Sequence, residues 1–185
     1  MINTIQGNRR ETNAGIITAR RNRALDRQGY IDLALRVLLL ALAGLILFSY
    51  VFLITQVSGN DMFPAIKDGD LVIGFRLQRE YAKDDVVAYT AEGKTHIGRV
   101  AARGNDVVTL DDSGTLLVNG TAQSGEIMYP TYAKEGITYP YRVPEGHVFI
   151  LGDYRTQTRD SRDIGAIPLE NVRGKVITIL HRRGL

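Results

Sequence analysis

An uninterrupted apolar stretch near the N-terminus constrains this chain more than any other feature. No charged residue occurs from 37 to 59, and nearly every side chain from Val37 to Ile54 is apolar. A helix of about 20 such residues crosses the ~30 Å hydrocarbon layer of a bilayer, and a single span must be helical because its backbone groups find no water there. The run is longer than a signal-peptide core and no small-residue cleavage site follows it, which favours an uncleaved segment. We therefore predict a transmembrane signal anchor over residues 37–57.

Basic charge is concentrated before this run. Residues 1–36 contain seven arginines and three acidic residues, a net charge of +4. The remaining residues carry −1, so the formal net charge of the whole chain is +3. Because basic residues favour the cytoplasmic side, we predict an Arg-rich cytoplasmic tail over 1–36 and an extracellular domain over 58–185 in a single-pass protein of the cell membrane. The predicted partners include the lipid bilayer but no nucleic acid, since the basic charge lies in the tail.

Residue usage also limits the chemistry that we expect. The chain contains no cysteine, which excludes a disulfide framework, a thiol nucleophile and a thiolate metal site. Its histidines are scattered without the paired spacing of metal ligands. We therefore predict neither a metal nor another cofactor.

The pattern changes after residue 60 to short β-type runs separated by turn residues, with no long helical period. Asp111–Gly114 and Asn119–Gly120 are strong turn signals. Regularly spaced short strands indicate a mainly β domain. The predicted strands are Leu71–Ile73, Asp85–Tyr89, Thr95–Ala102, Asp106–Leu110, Thr115–Val118, His147–Leu151 and Lys175–His181.

Four sequence boxes follow the apolar run. They are Asp61-Met62-Phe63-Pro64, Lys83–Tyr89, Gly98–Asp106 and Gly152–Arg162, the last of which ends in Asp-Ser-Arg. In this order and spacing they resemble the boxes of type I signal peptidases. The resemblance covers most of residues 37–185. It implies an antiparallel β domain with a surface groove, tethered by one N-terminal transmembrane helix.

Two positions depart from that family's pattern. The nucleophilic serine corresponds to Asp61 and the general-base lysine to Gly98, whereas Thr158 keeps a hydroxyl at a third position. A serine needs a base to remove its proton, and a lysine can be that base only when it is neutral. We therefore predict no catalytic residues and expect that the chain is not an enzyme.

The substituted pair resembles streptococcal pilus-assembly factors of the same family. This resemblance implies a membrane-bound, chaperone-like role in sortase-dependent pilus assembly, with pilin subunits and a pilus sortase as partners. Such a partner would bind as an extended strand by edge addition, and the Asp61 carboxylate would accept from a lysine or an N–H group. The predicted groove residues are Asp61, Met62, Phe63, Pro64, His96, Gly98, Asp153 and Thr158.

Three alternatives remain open from the sequence. One is an active membrane-bound endopeptidase with replacement catalytic groups. Positions 94, 96 and 98 share one face of a strand, which would bring Lys94 or His96 towards position 98, where the family has its lysine base. A second is a proton shared between Asp61 and Asp153 that activates water. A third is partner binding by Met128–Pro144, whose four tyrosines otherwise pack on the sheet.

Overall fold

A computed structural model describes residues 29–123 and 129–182 of the chain. It opens with a long apolar helix, α1, at Gly29–Val51, whose 23 residues are long and apolar enough to cross a membrane. At 1.5 Å per residue such a helix is about 34 Å long. Its apolar side chains are exposed, as in Leu40 at 74%. The predicted apolar helix is thus present, and it could serve as a membrane anchor.

The bounds of this helix differ from the predicted span of 37–57. The helix begins at Gly29, before the predicted span, and its first turns contain Asp32 and Arg36, which form an exposed i,i+4 ion pair of 2.8 Å. It ends at Val51 because Phe52–Gln56 forms a strand instead. The cytoplasmic tail over 1–36 stays a prediction, since residues 1–28 lie outside the described ranges.

The remainder from Ser49 onward is a single compact unit built mainly from antiparallel strands. Among the described residues, eleven strands and two short helical segments follow α1. They are β1 Phe52–Gln56, β2 Leu71–Phe75, β3 Val86–Ala91, β4 Lys94–Arg103, β5 Val107–Leu110, β6 Leu116–Val118, β7 Thr121–Ala122, β8 Tyr141–Arg142, β9 His147–Leu151, α2 Ser161–Ile164, β10 Ile167–Pro168, a 3₁₀ turn Leu169–Asn171, and β11 Val172–Leu180.

These strands form two sheets. The larger has seven strands in the order β1-β2-β11-β3-β4-β9-β10, and the smaller has four in the order β7-β6-β5-β8. Every paired strand is antiparallel to its neighbour. The predicted mainly β, antiparallel fold class is therefore confirmed.

Local turn chemistry explains the strand order in the smaller sheet. Asp111 Oδ1 accepts from Ser113 Oγ and from the backbone N–H of Thr115, each at 2.7 Å, which closes the β5–β6 hairpin. Asn119 and Gly120 have φ of 51° and 76° and connect β6 to β7. Because Asn and Gly tolerate left-handed backbone better than other residues, this is the turn that the sequence signals.

Two buried clusters position the loop that follows β1. One contains Leu53 and Met62 together with Ile97 on β4. The other contains Tyr89 on β3 and Ile150 on β9. Met62 is 1% exposed. Its burial fixes the neighbouring residue, Asp61, between the edge of β4 and the loop that follows β9.

Candidate functional site

Asp61 is held from behind by the loop after β9. Its backbone carbonyl accepts from the backbone N–H of Tyr154 at 3.0 Å, and Thr158 Oγ1 lies 3.2 Å from the same oxygen. On the other side, the backbone N–H of Ile66 donates to the carbonyl of Met62 at 2.9 Å. The backbone of Asp61 is therefore fixed, while its side chain is 35% exposed.

The carboxylate of Asp61 faces the imidazole of His96. Asp61 Oδ2 and His96 Nδ1 are 3.9 Å apart. The imidazole stacks on the ring of Tyr89, with centroids 5.6 Å apart and planes at 29°. Tyr89 and His96 are register partners in the β3–β4 hairpin. This stacking holds the imidazole beside the carboxylate.

Burial raises the pKa of Asp61 above its ordinary value. The charge of His96 opposes this change, whereas the negative charge of Asp160 adds to it. Burial also raises the pKa of Tyr89, which therefore keeps its proton. A carboxylate with a raised pKa binds protons more strongly than an ordinary aspartate, as a general base requires.

Gly98 occupies a site without space for a side chain. A Cβ built on it would lie 2.5 Å from Ile150 Cγ2 and 3.2 Å from the carbonyl oxygen of Leu151. Real Cβ atoms do not approach other atoms as closely as 2.5 Å. The glycine therefore allows β4 and β9 to pack closely, and Ile150 takes the space that a longer residue would need.

Thr158 contacts backbone atoms. It is 2% exposed, and its Oγ1 lies 2.8 Å from the carbonyl of Tyr154 as well as 3.2 Å from that of Asp61. Lys134 Nζ donates to the carbonyl of Thr158 and to Asp163 Oδ2, the latter at 2.6 Å. Thr158 therefore positions the main chain of Asp61.

The carboxylate of Asp153 pairs with the guanidinium of Arg99. Its two oxygens accept from Arg99 Nε and Nη2 at 2.9 and 2.7 Å. Asp160 likewise accepts from Arg162 Nε and Nη2 at 2.9 and 2.7 Å. These bidentate pairs support a structural role for both carboxylates. The alternative in which Asp61 and Asp153 share a proton gains no support from this geometry.

Phe63 and Pro64 begin an aromatic row that leads away from Asp61. The Phe63–Pro64 peptide bond is cis. The Phe63 ring lies 5.8 Å from that of Tyr154, which lies 4.8 Å from that of Tyr129. We call Phe63, Tyr154 and Tyr129 the aromatic row.

The tyrosines of the predicted Met128–Pro144 segment have different environments. Tyr139 and Tyr141 pack against the buried cluster around Phe149, whereas Tyr132 is 50% exposed. Met128 lies outside the described residues. Part of the segment thus packs on the sheet, and its binding of a partner stays a prediction.

A shallow depression lies between two strand edges beside Asp61. In the described part of the chain β1 pairs only with β2, and β9 pairs with β4 only from Arg99 onward. Thr55 and Ile97 line the depression with Asp61 and Met62, and its volume is about 10 Å³. His96 and Gly98 point to the opposite face of β4 from Ile97, because side chains alternate along a strand. Of the predicted groove residues, Asp61 and Met62 line the depression and the other six do not.

Sequence reasoning missed Tyr89, Lys134 and Tyr154. Tyr89 had a usable signal, because the short Glu92–Gly93 turn sets the register that pairs it with His96. Lys134 and Tyr154 had no such signal. Their contacts join segments far apart in the chain, such as Lys134 with Asp163.

Comparison with known proteins assigns the chain to a family. Over residues 30–181 it matches the family described as signal peptidase, peptidase S26. The chain belongs to the S26 signal peptidase family. It is 31% identical over 138 residues to the probable thylakoidal processing peptidase 2 of Arabidopsis thaliana, covering 66% of this chain and 36% of that protein. It is 29% identical over 143 residues to signal peptidase I of Bacillus caldolyticus, covering 69% and 78%.

The matched region spans only 36% and 40% of the lengths of two thylakoidal processing peptidases of Arabidopsis thaliana. Among solved structures, a signal peptidase I from Enterococcus faecalis V583 matches at 25% identity and a TM-score of 0.46, covering 54% of this chain and 97% of that one.

These relatives correct one prediction. We expected from Asp61 and Gly98 that the chain is not an enzyme. Relatives at 26–31% identity are named signal peptidase I or thylakoidal processing peptidase, so the chain belongs to a family of enzymes and that prediction is wrong. The prediction rested on the absence of a serine at position 61 and of a lysine at position 98.

Proposed function

We propose that this chain is a membrane-anchored endopeptidase of exported polypeptides in which Asp61 activates a water molecule and His96 protonates the leaving amine. The observation that carries this proposal is the 3.9 Å approach of the carboxylate to the imidazole beside two strand edges. Membership of the S26 family supports peptide-bond hydrolysis as the reaction. The names of the relatives support processing of a precursor polypeptide.

The polypeptide would lie in extended form along the edge of β1 or of β4. The part of β4 before Arg99 has β3 on one side and no strand on the other among the described residues. An added strand gains backbone hydrogen bonds there. The volume of the depression, about 10 Å³, is too small to enclose a side chain, which favours binding across its surface.

The reaction is a single displacement by water. Asp61 takes one proton from a water molecule, and the resulting hydroxide attacks the carbonyl carbon of the peptide bond. The backbone N–H of Asp61 donates no hydrogen bond within the described residues and would stabilise the oxyanion. The carbon–nitrogen bond then breaks, and protonated His96 gives its proton to the leaving amine. Asp61 then releases its proton to solvent and His96 takes one up from solvent, which restores the starting state.

The helix α1 and the charge pattern support a placement in the membrane. The helix could anchor the domain, and the arginines before it favour a cytoplasmic N-terminus and an extracellular domain. This orientation would expose the domain that carries Asp61 to exported polypeptides.

The test uses the full chain in lipid nanodiscs with a signal-peptide precursor and a pilin precursor as substrates. Asp61→Asn and His96→Gln should each lower the cleavage rate by about 100-fold or more, the usual contribution of general acid–base catalysis. Asp112→Asn changes an exposed carboxylate and serves as the matched control with an unchanged rate. Cleavage at equal rates in all four preparations would identify a contaminating protease and contradict the proposal.

A second candidate is binding of pilin subunits during sortase-dependent pilus assembly, with a pilus sortase as a further partner. The closed site at Gly98 favours it, because Ile150 leaves no space there for a lysine base. Asp61 would then accept a hydrogen bond from a pilin lysine. Asp61→Ala should weaken pilin capture by the nanodisc-bound chain. Unchanged capture would remove Asp61 from that interface.

A further inference from the structure

A cavity of about 330 Å³, separate from the depression beside Asp61, lies between the two sheets. Its volume falls within the range of ligand pockets. None of the predicted groove residues lines it. Its walls come from β4, from the β5–β6 turn, from residues 129–131 and from the loop after β9. We call it the inter-sheet cavity.

Arg155 supplies a buried positive charge to this cavity. It is 5% exposed. Its Nε donates to the carbonyl of Gly152 at 2.9 Å and its Nη1 to Thr131 Oγ1. Arg99 and Arg162 each pair with an aspartate, but no described carboxylate lies within 4.0 Å of Arg155. Burial is the main reason that its pKa falls to about 10; the charges of Arg162 and Arg99 also lower the pKa, and those of Asp153 and Asp160 oppose the change. A buried charge with no carboxylate in direct contact is unfavourable.

Gln123 supplies an unpaired acceptor to the same cavity. Its Oε1 is buried and accepts no hydrogen bond from the described residues. Its Nε2 donates to the carbonyl of Thr121 at 2.8 Å, so the amide is held in place. Buried acceptors in folded proteins are nearly always paired. An N–H donor is therefore the complement that this atom lacks.

The charge balance of the walls favours an anion. Among the described residues, Lys83, Arg99 and Arg155 line the cavity together with one carboxylate, Asp84. Arg99 is committed to Asp153 and to the carbonyl of Asp84, so Lys83 and Arg155 carry the surplus positive charge. A ligand with both a carboxylate and a nearby N–H satisfies Arg155 and Gln123 together. An acidic residue within a polypeptide has this chemistry.

We propose that the inter-sheet cavity binds an acidic residue of a polypeptide, with its carboxylate at Arg155 and Lys83 and its backbone N–H at Gln123 Oε1. The aromatic row connects this cavity to Asp61 and His96. The backbone N–H of Tyr154 donates to the carbonyl of Asp61 at 3.0 Å, and Tyr129 lines the cavity. That the acidic residue belongs to the same polypeptide that Asp61 acts on rests on the proposed function.

The probes are two capped tripeptides, acetyl-Ala-Glu-Ala-amide and acetyl-Ala-Gln-Ala-amide, titrated into the full chain in nanodiscs by calorimetry. The glutamate peptide should bind about tenfold more tightly, because a charge-assisted hydrogen bond is replaced by a neutral one. Lys83→Gln should lower the affinity for the glutamate peptide about threefold and leave the glutamine peptide unchanged. Gln123→Leu should weaken both.

Lys94→Gln is the matched control, since Lys94 is an exposed lysine that does not line the cavity. Asp61→Asn should leave the binding of both tripeptides unchanged, which separates this proposal from the proposed function. Equal affinities for the two peptides, equal losses in Lys83→Gln and Lys94→Gln, or full affinity in Gln123→Leu would each overturn it.

Discussion

Asp160 and Asp61 lie near one another and differ in nearly every contact. Asp160 is fully buried; its carboxylate accepts from Arg162 Nε and Nη2 at 2.9 and 2.7 Å and from the backbone N–H of Gly152 at 3.2 Å. The carboxylate of Asp61 is 35% exposed and faces an imidazole at 3.9 Å. One carboxylate is committed to the fold and the other is available for chemistry. The fold therefore tolerates an unusual residue at position 61, because the structural charges lie elsewhere.

The largest effect that tests this comparison is expected from Asp160→Asn. The change removes the counter-ion of Arg162, which is 1% exposed, and leaves a buried guanidinium without an anion. Breaking one partner of a buried pair costs about 3–5 kcal/mol. Thermal unfolding of the full chain in nanodiscs measures the loss. A loss below about 1 kcal/mol, within the range of surface changes, would show that Asp160 is not the structural carboxylate.

The next effect concerns Gly98, where β4 and β9 pack closely. Gly98→Lys should lower the free energy of unfolding by about 1–3 kcal/mol, the usual cost of overpacking, because its Cβ would meet Ile150 Cγ2. Gly98→Ala should show the same steric conflict without the charge. Combining it with Ile150→Ala, which deletes the opposing methyl group, should recover part of the loss in a double-mutant cycle. Additive losses would place the conflict elsewhere.

A third carboxylate, Asp70, is intermediate between Asp160 and Asp61 in its contacts. Its oxygens accept from the backbone N–H groups of Lys67 and Arg182 at 3.0 and 2.9 Å and lie 2.9 Å from His181 Nδ1. The Lys67 hydrogen bond is the main reason that its pKa falls to about 2, from 3.8. A lowered pKa stabilises the folded state above pH 4, and this stabilisation is lost as the pH falls towards 2.

Asp70→Asn should therefore cost about 1–2 kcal/mol at pH 7, because hydrogen bonds to a charged acceptor become neutral. The difference between the variant and the parent chain should shrink from pH 4 to pH 2. Unfolding at each pH measures it. A constant difference across this range would show that the carboxylate charge at 70 is not what stabilises the end of β11.

The sequence predicted the sheet better than the site. Alternation and turn residues located most strands of the larger sheet, and His147–Leu151 has its predicted bounds. β1 was missed because Phe52–Gln56 continues the apolar run of the helix, and its strand state depends on pairing with β2. Arg99 and Asp153 are 54 residues apart in the chain. Such contacts have no local pattern, so the division between structural and reactive carboxylates needed the fold.

The smallest effect on stability is expected at Asp61 itself. Burial raises its pKa, so its charged form destabilises the folded state. That destabilisation is fully present above the raised pKa and disappears as the pH falls below the unfolded value of 3.8. Asp61→Asn should therefore stabilise the chain slightly at pH 7, by no more than about 0.5 kcal/mol, while abolishing cleavage. At pH 3 the two proteins should unfold alike, and Asp112→Asn should show no comparable pH dependence. A marked destabilisation by Asp61→Asn at pH 7 would mean that Asp61 is a structural carboxylate like Asp160, and the distinction between the two would fail.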